Sequence, residues 1–229
     1  MDLYGRKSQS IPQKTVIFAL EVVWLCLSYW ILFQTGGNIL LNWIGMGEVS
    51  APMERRIIIF TFSVIVFLRL GFTMLYLLKR KMPWEESLSV SFAFALYYIG
   101  FSLLVLPTEK HLNAVDGMGI SLFLIGSFIN TFSELQRHFW KKQLENKGKL
   151  YTQGLFQYAM HINYFGDVCW VTAFAVFTRN LYAGIIPLVL ICFFVFYNIP
   201  KLDRYLASKY EDDFEIYSHK TKKIIPFLY

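Results

Sequence analysis

Long apolar runs separated by short polar and basic stretches dominate the chain, and their lengths predict its elements before any single residue is weighed. A helix crosses a hydrocarbon core of about 30 Å with about 20 apolar residues. Runs of this kind lie near 15–33, 57–78, 88–106, 117–133, 164–177 and 181–199. They predict an all-α integral membrane protein of about six transmembrane helices, followed by a C-terminal amphipathic segment. The fifth run is the shortest. With no internal repeat and no long low-complexity tract, residues 1–229 read as a single membrane domain, 15–106 forming its N-terminal helices and 117–229 its C-terminal part. The first run holds Glu21 and follows polar sequence without a small-residue cleavage site, so it reads as a retained helix.

The polar intervals differ among themselves. The stretch 34–50 sets Gly36, Gly37, Gly45 and Gly47 around apolar residues and reads either as an interfacial segment or as a plain connection. The intervals 130–167 and 201–229 are long, basic and aromatic. After Pro200, Leu202, Tyr205, Leu206 and Tyr210 recur at helical spacing, which predicts a membrane-surface helix ending before Pro226.

Composition agrees with lipid as the solvent: 55% of residues are apolar and 17% charged, and mean hydropathy is +0.42. The net charge of +6 would suit nucleic acid, but the cations track the membrane instead. With both termini cytoplasmic, Arg55, Arg56, Lys110 and Arg179 fall in outside loops and Arg69 within a span. The rest of the 22 Lys and Arg, from Arg6 and Lys7 to Lys223, fall inside. The expected location is therefore a bacterial inner membrane or the endoplasmic reticulum, with no nucleic-acid partner. Glu85 and Glu86, beside Trp84 and the 79–81 cations, read as an interfacial anchor. Cys26, Cys169 and Cys192 lie in apolar runs and imply no disulfide framework, and His111, His138, His161 and His219 form no HxH or HxxxH pair, so no metal site is expected.

Candidate chemistry gathers between the fourth and fifth runs. Gly154 frees the backbone just before an aromatic run, and His161, Asn163, Tyr164 and Asp167 place donors and acceptors within seven residues. Arg137, Lys141 and Lys142 share about one and a half helical turns, a spacing that serves either phosphate neutralisation or lipid anchoring. The segment GLFQYAMHINYFGD resembles the GLFxYxxxxNYxGE stretch of the steroid 5α-reductase family and of related bacterial membrane proteins that often read GLWxYSRHPNYFGE. Asn130, Ser133 and Glu134 resemble the family's NxxSD, while Tyr210, Phe214, Tyr217 and the closing IIPF resemble its C-terminal YxxxFxxY and IPF.

This resemblance, over about the last hundred residues, implies a membrane reductase holding NADPH. It makes Asn130, Ser133, Arg137, Asn163, Asp167, Tyr210 and Tyr217 cofactor candidates beside Gly154, His161 and Tyr164. Met160, Ile162 and Asp167 depart from the usual Arg, Pro and Glu. Isoprenylcysteine and phospholipid methyltransferases share part of the pattern, RHPxYxG followed by EExxL and FGxxYxxY. Asp203 falls at their second acid, Leu202 replaces the first, and Glu211 replaces the Gly. That second resemblance implies S-adenosylmethionine as the alternative cofactor, and a non-catalytic scaffold of the same fold is the third reading.

Ionisable residues within spans are costly and therefore start as functional candidates. Glu21, Arg69 and Tyr98 lie about 9–15 Å from the inner ends of three different helices, at about 1.5 Å rise per residue. They are the catalytic candidates, around a chamber for a lipid or other hydrophobic substrate. A Glu21–Arg69 ion pair that serves only the bundle is the competing expectation.

Overall fold

The computed structural model describes residues 8–229; Arg6 and Lys7, counted above among the inside cations, lie outside the described residues. Helices account for nearly all of the regular structure: α1 (Ile11–Phe33), α2 (Gly36–Trp43), α3 (Met53–Phe72), α4 (Trp84–Ala95), α5 (Phe101–Val105), α6 (Ala114–Lys142), α7 (Ile162–Thr178), α8 (Ile185–Phe193) and α9 (Ile199–Lys220). Short π-helical turns extend α3 over Thr73–Leu77, join α4 to α5 over Leu96–Gly100, and join α8 to α9 over Phe194–Asn198. Among the described residues, Ile11–Phe33, Met53–Leu77, Trp84–Val105, Ala114–Lys142 and Leu181–Lys220 are long and apolar enough to cross a membrane. The helix Ile162–Thr178 is shorter, at 17 residues, near the lower limit of about 17 for a spanning helix. The chain is an all-α, multi-pass membrane protein.

Burial supports that assignment. Within each of the five long stretches only 28–33% of the apolar window is covered by the chain itself. The uncovered remainder includes Leu75, Phe92 and Phe196, an apolar surface far larger than a water-facing protein carries.

Two expectations are refined. The stretch 34–50 is neither a plain loop nor wholly superficial, because it contains α2, whose Gly36 and Gly37 are buried. A Cβ on Gly37 would collide with Leu106 and the Ile31 carbonyl, so only glycine lets this turn tuck under α1. The tail helix expected after Pro200 is present as α9 (Ile199–Lys220), which carries Pro200 in its first turn and is joined to α8 through a π turn. Proline is tolerated there because the N–H it lacks is one that a first helical turn leaves unpaired in any case. Within that helix the backbone breaks at Glu211, which has φ 43° and ψ −117°.

The chain divides into two compact units. The first comprises 1–120 and 174–186. Here α1 packs on α3 and α4 around Ile17, Leu70, Met74 and Met82. Lys14 Nζ donates to the Met74 and Leu78 carbonyls, at 2.5 and 2.7 Å, satisfying acceptors that a helix end leaves without partners. Stacked and edge-on contacts among Phe62, Phe101, Phe174 and Phe177 fill another part of this unit.

The second unit comprises 121–173 and 187–229. Its frame is a crossing of α6 and α7 at Gly126 and Gly166. A Cβ on Gly126 would lie 2.6 Å from the Trp170 nitrogen, and one on Gly166 would lie 2.5 Å from the Asn130 nitrogen. The two backbones therefore touch without intervening side chains. The loop after α6 folds over Tyr151, Phe156, Ala159 and Ile162. It is held from outside by the tail, where the Met160 and His161 N–H groups each donate at 2.8 Å to the carbonyls of Lys222 and Lys223.

Candidate functional site

In the first unit the three in-span candidates come together from α1, α3 and the π turn between α4 and α5. Glu21 and Tyr98 are fully buried. Both carboxylate oxygens of Glu21 and the hydroxyl of Tyr98 lack a hydrogen bond of ordinary geometry. The two groups are nonetheless close enough to act on each other electrostatically, and Arg69 acts on Tyr98 in the same way. The π turn explains how two consecutive residues, Tyr97 and Tyr98, are both buried, because it shifts the register of the helix by a fraction of a turn. Nearby, Ser28 and Ser102 hydroxyls pair at 2.8 Å, and Ser102 also donates to the Tyr98 carbonyl.

A second buried polar group in this unit escaped sequence reasoning. Arg55, assigned above to an outside loop, is fully buried. Its Nη1 and Nη2 donate to the two Asp116 oxygens at 2.8 and 3.1 Å, and its remaining donors meet the carbonyls of Lys110, His111 and Phe177. Arg179 adds two more hydrogen bonds to the same carboxylate, at 3.1 and 2.9 Å. All the guanidinium nitrogens of Arg55 donate, and both Asp116 oxygens accept more than one hydrogen bond. An acidic residue about sixty positions from each arginine leaves no local signal.

The second unit collects the cofactor candidates on α6, the following loop, the start of α7 and α9. Arg137 Nη2 donates to both oxygens of Glu134, at 2.6 and 2.5 Å, and the guanidinium lies over the Phe156 ring at 5.2 Å. Asn163 Nδ2 donates to Glu134 Oε1 at 3.0 Å, and Asn130 Nδ2 donates to the Asn163 carbonyl at 3.2 Å. Arg137, Glu134, Asn163 and Asn130 thus form one connected chain across the Gly126–Gly166 crossing. Ser133 is buried and donates to the Asn130 carbonyl within its own helix, whereas Asp167 accepts from Trp170 Nε1 at 2.8 Å.

Gly154 has φ 60°, and a Cβ there would sit 2.5 Å from Gln136 Oε1 and 2.8 Å from the Tyr151 hydroxyl. Gln136 anchors the same turn by accepting from the Leu155 N–H at 3.0 Å. Burial raises the ionisation of the Tyr151 phenol above its ordinary range, with Arg137 acting in the opposite sense. His161 is buried, its Nε2 is 2.8 Å from Asp203 Oδ1, and its ring stacks on Tyr164, which in turn stacks on Phe194 at 4.4 Å. Tyr217 donates to the Phe156 carbonyl at 2.5 Å, and Tyr210 packs with Met160, Phe214 and Tyr217. Tyr217 and His161 thereby hold the loop and tail in place. Arg137, Glu134, Asn163 and Asn130 supply polar groups to the partly exposed face.

Glu211 adds backbone strain beside this set. It stands where the methyltransferase pattern has glycine, and its backbone keeps a left-handed φ that favours glycine.

Comparison with known proteins places the chain in context. Over 103 residues it is 30% identical to a protein named "Probable O-methyltransferase ustE" from Ustilaginoidea virens, a match that covers 44% of this chain and 36% of that protein. The chain thus spans only about a third of that relative's length. Residues 33–221 match a family described as "Protein of unknown function (DUF1295)", a span that holds the whole set from Asn130 to Tyr217, together with Arg69 and Tyr98, and begins after Glu21. Because most of its length is matched in this way, the chain belongs to the DUF1295 family.

Proposed function

We propose that this protein is a membrane-embedded, NADPH-dependent reductase of a carbon–carbon double bond conjugated to a carbonyl in a steroid-like, isoprenoid or other lipid. The observation that carries the reading is the group of three buried oxygens, two on Glu21 and one on Tyr98, that have no hydrogen bond of ordinary geometry. Burial of such groups is costly unless something satisfies them, and a ligand carbonyl is an acceptor the Tyr98 hydroxyl can serve. A hydrogen bond from Tyr98 to that oxygen draws electron density from the double bond. Glu21, at the same place, positions the phenol and relays a proton, and Arg69 biases the charge of the pair.

The polar chain from Asn130 to Arg137 has the donor and acceptor chemistry for a nucleotide's amide, hydroxyl and phosphate groups. NADPH, when bound, supplies the hydride. A second reading, methyl transfer from S-adenosylmethionine to a lipid or prenyl thiol acid, draws support from the His161–Asp203 pair and from the name of the fungal relative.

Purified full-length protein in detergent separates the two. The reductase reading expects thermal stabilisation by NADPH and not by S-adenosylmethionine, with NADPH consumed when an enone lipid is added. Glu21→Gln and Tyr98→Phe should each lower turnover by about 10²-fold or more while NADPH still stabilises the protein. Stabilisation by S-adenosylmethionine alone would decide for methyl transfer.

A further inference from the structure

One more buried polar group in the first unit has nothing to bond to. The Trp24 ring nitrogen is buried and, among the described residues, its N–H meets no acceptor. Nearly all buried donors in folded proteins are paired, and an unpaired one costs about as much as a lost hydrogen bond.

Helix geometry puts this donor beside Glu21 and Tyr98. On α1, Glu21, Trp24 and Ser28 follow one another at helical spacing and so share one face, and both Glu21 and Ser28 are fully buried. Two contacts fix the register of that face against the segment running from α4 to α5. The Ser87 hydroxyl donates to the Gln13 carbonyl at 3.0 Å, and the Ser28 and Ser102 hydroxyls pair at 2.8 Å. The partners are 74 residues apart in both contacts, so the two segments run side by side in the same direction. The same offset sets Trp24 opposite Tyr98, one turn inward from the serine pair, and Glu21 follows one turn further in. An indole N–H, a phenol O–H and two carboxylate oxygens, none with a hydrogen bond of ordinary geometry, therefore gather at neighbouring levels of one interface.

Reducing an enone puts negative charge on its oxygen. Hydride arriving at the β-carbon shifts the double bond toward the carbonyl and leaves the carbonyl π pair on oxygen as an enolate, while the dinucleotide is oxidised. A proton relayed by Glu21 to the α-carbon then re-forms the carbonyl. The oxygen has two lone pairs, of which the Tyr98 hydroxyl serves one. An indole N–H only donates and does not ionise, so it can serve the other throughout without taking up the proton in transit. Fixed donors aimed at developing charge in a site without water are among the larger catalytic effects.

We propose that the Trp24 N–H is a second donor to the substrate's carbonyl oxygen and that, with the Tyr98 hydroxyl, it forms an oxyanion hole for the enolate. The inference rests on the reductase reading and adds to it a catalytic residue that carries no charge and that sequence reasoning passed over.

Turnover and carbonyl vibration are measured on the purified full chain in a maltoside detergent. The probes are a steroid enone and an alkyl cyclohexenone, each isotope-labelled at the carbonyl, with NADPH for turnover and NADP+ for the vibrational spectrum. Trp24→Phe removes the N–H, and replacing the Trp24 indole alone by benzothiophene removes it while keeping the shape of the ring. In both, kcat should fall about 10²-fold while KM stays within about threefold of wild type. The benzothiophene protein should melt, without ligand, where the wild type does. Its bound enone should show a carbonyl band moved toward the frequency found in hydrocarbon, in the same direction as in Tyr98→Phe. Wild-type turnover in the benzothiophene protein would overturn the second donor and leave the Glu21–Tyr98 reading in place. Lost turnover with an unmoved carbonyl band would overturn it too, because Trp24 would then act through Glu21 or through packing and not on the substrate. A wild type that consumes no NADPH with either enone would remove the reductase reading and this inference with it.

Discussion

Two buried ionisable sites in the first unit are built in opposite ways. The Arg55–Asp116–Arg179 cluster is closed at its centre: the guanidinium nitrogens of Arg55 and both Asp116 oxygens meet one another, Arg179 or backbone groups. The Glu21–Tyr98 site is equally buried, yet three of its oxygens have no hydrogen-bond partner. Burial of charge alone therefore does not mark function in this protein. Completed hydrogen bonding points to architecture, and incomplete hydrogen bonding points to a group kept for something else.

The sharpest way to break this contrast is to remove one partner from each site. Asp116→Ala leaves Arg55 charged and buried with no counter-ion, so the protein should lose about 3–5 kcal/mol of stability, read as a lowered unfolding midpoint in detergent. Glu21→Gln removes no existing hydrogen bond and should change that midpoint by less than about 1 kcal/mol. Equal losses in the two variants would dissolve the distinction.

The second unit allows a smaller test of the same idea, at a point where the backbone itself is completed by a neighbour. Gly154→Ala forces a side chain onto a left-handed residue and into Gln136, so it should cost about 1–3 kcal/mol and make the loop after α6 more sensitive to protease. A change of opposite sign is expected at Glu211, where Glu211→Gly relieves a left-handed φ. Stability should rise by about 1 kcal/mol in the same unfolding assay, and a fall would mean that the Glu211 side chain contributes more than its strained backbone costs.

Much of the framework was legible in the sequence because lipid imposes a length on each apolar run. The runs near 15–33, 57–78 and 88–106 correspond to α1, α3 with its π turn, and the segment from α4 through α5. Depth along those runs sufficed to single out Glu21, Arg69 and Tyr98, and the folded chain brings them together. Register within a helix was harder: the π turn at Leu96–Gly100 that carries Tyr98 inward has no sequence signature comparable to a proline or glycine.

Arg55 was read as a loop charge because it stands just before an apolar run, but it lies in the first turn of α3 and is buried, whereas Arg179 does stand in the turn after α7. Only the tertiary fold delivers Asp116 to both. At the basic end of the second unit, GLFQYAMHINYFGD located the loop and Gly154. The same motif gave no hint that Gln136 anchors the turn, since that partner lies 19 residues away.

The tail that grips Met160 and His161 also has a bearing on biosynthesis. Chains emerge from the ribosome N-terminus first and fold as they appear. The hydrogen bonds from Met160 and His161 go to Lys222 and Lys223, so the loop after α6 has its outer support only once those late residues have been made. A chain cut short before Lys222 would still hold its apolar helices for insertion but would lack the clasp. Completion of the polar face is thereby tied to completion of translation, and prematurely released products should accumulate as inserted but unclasped species, open to proteolysis at the loop.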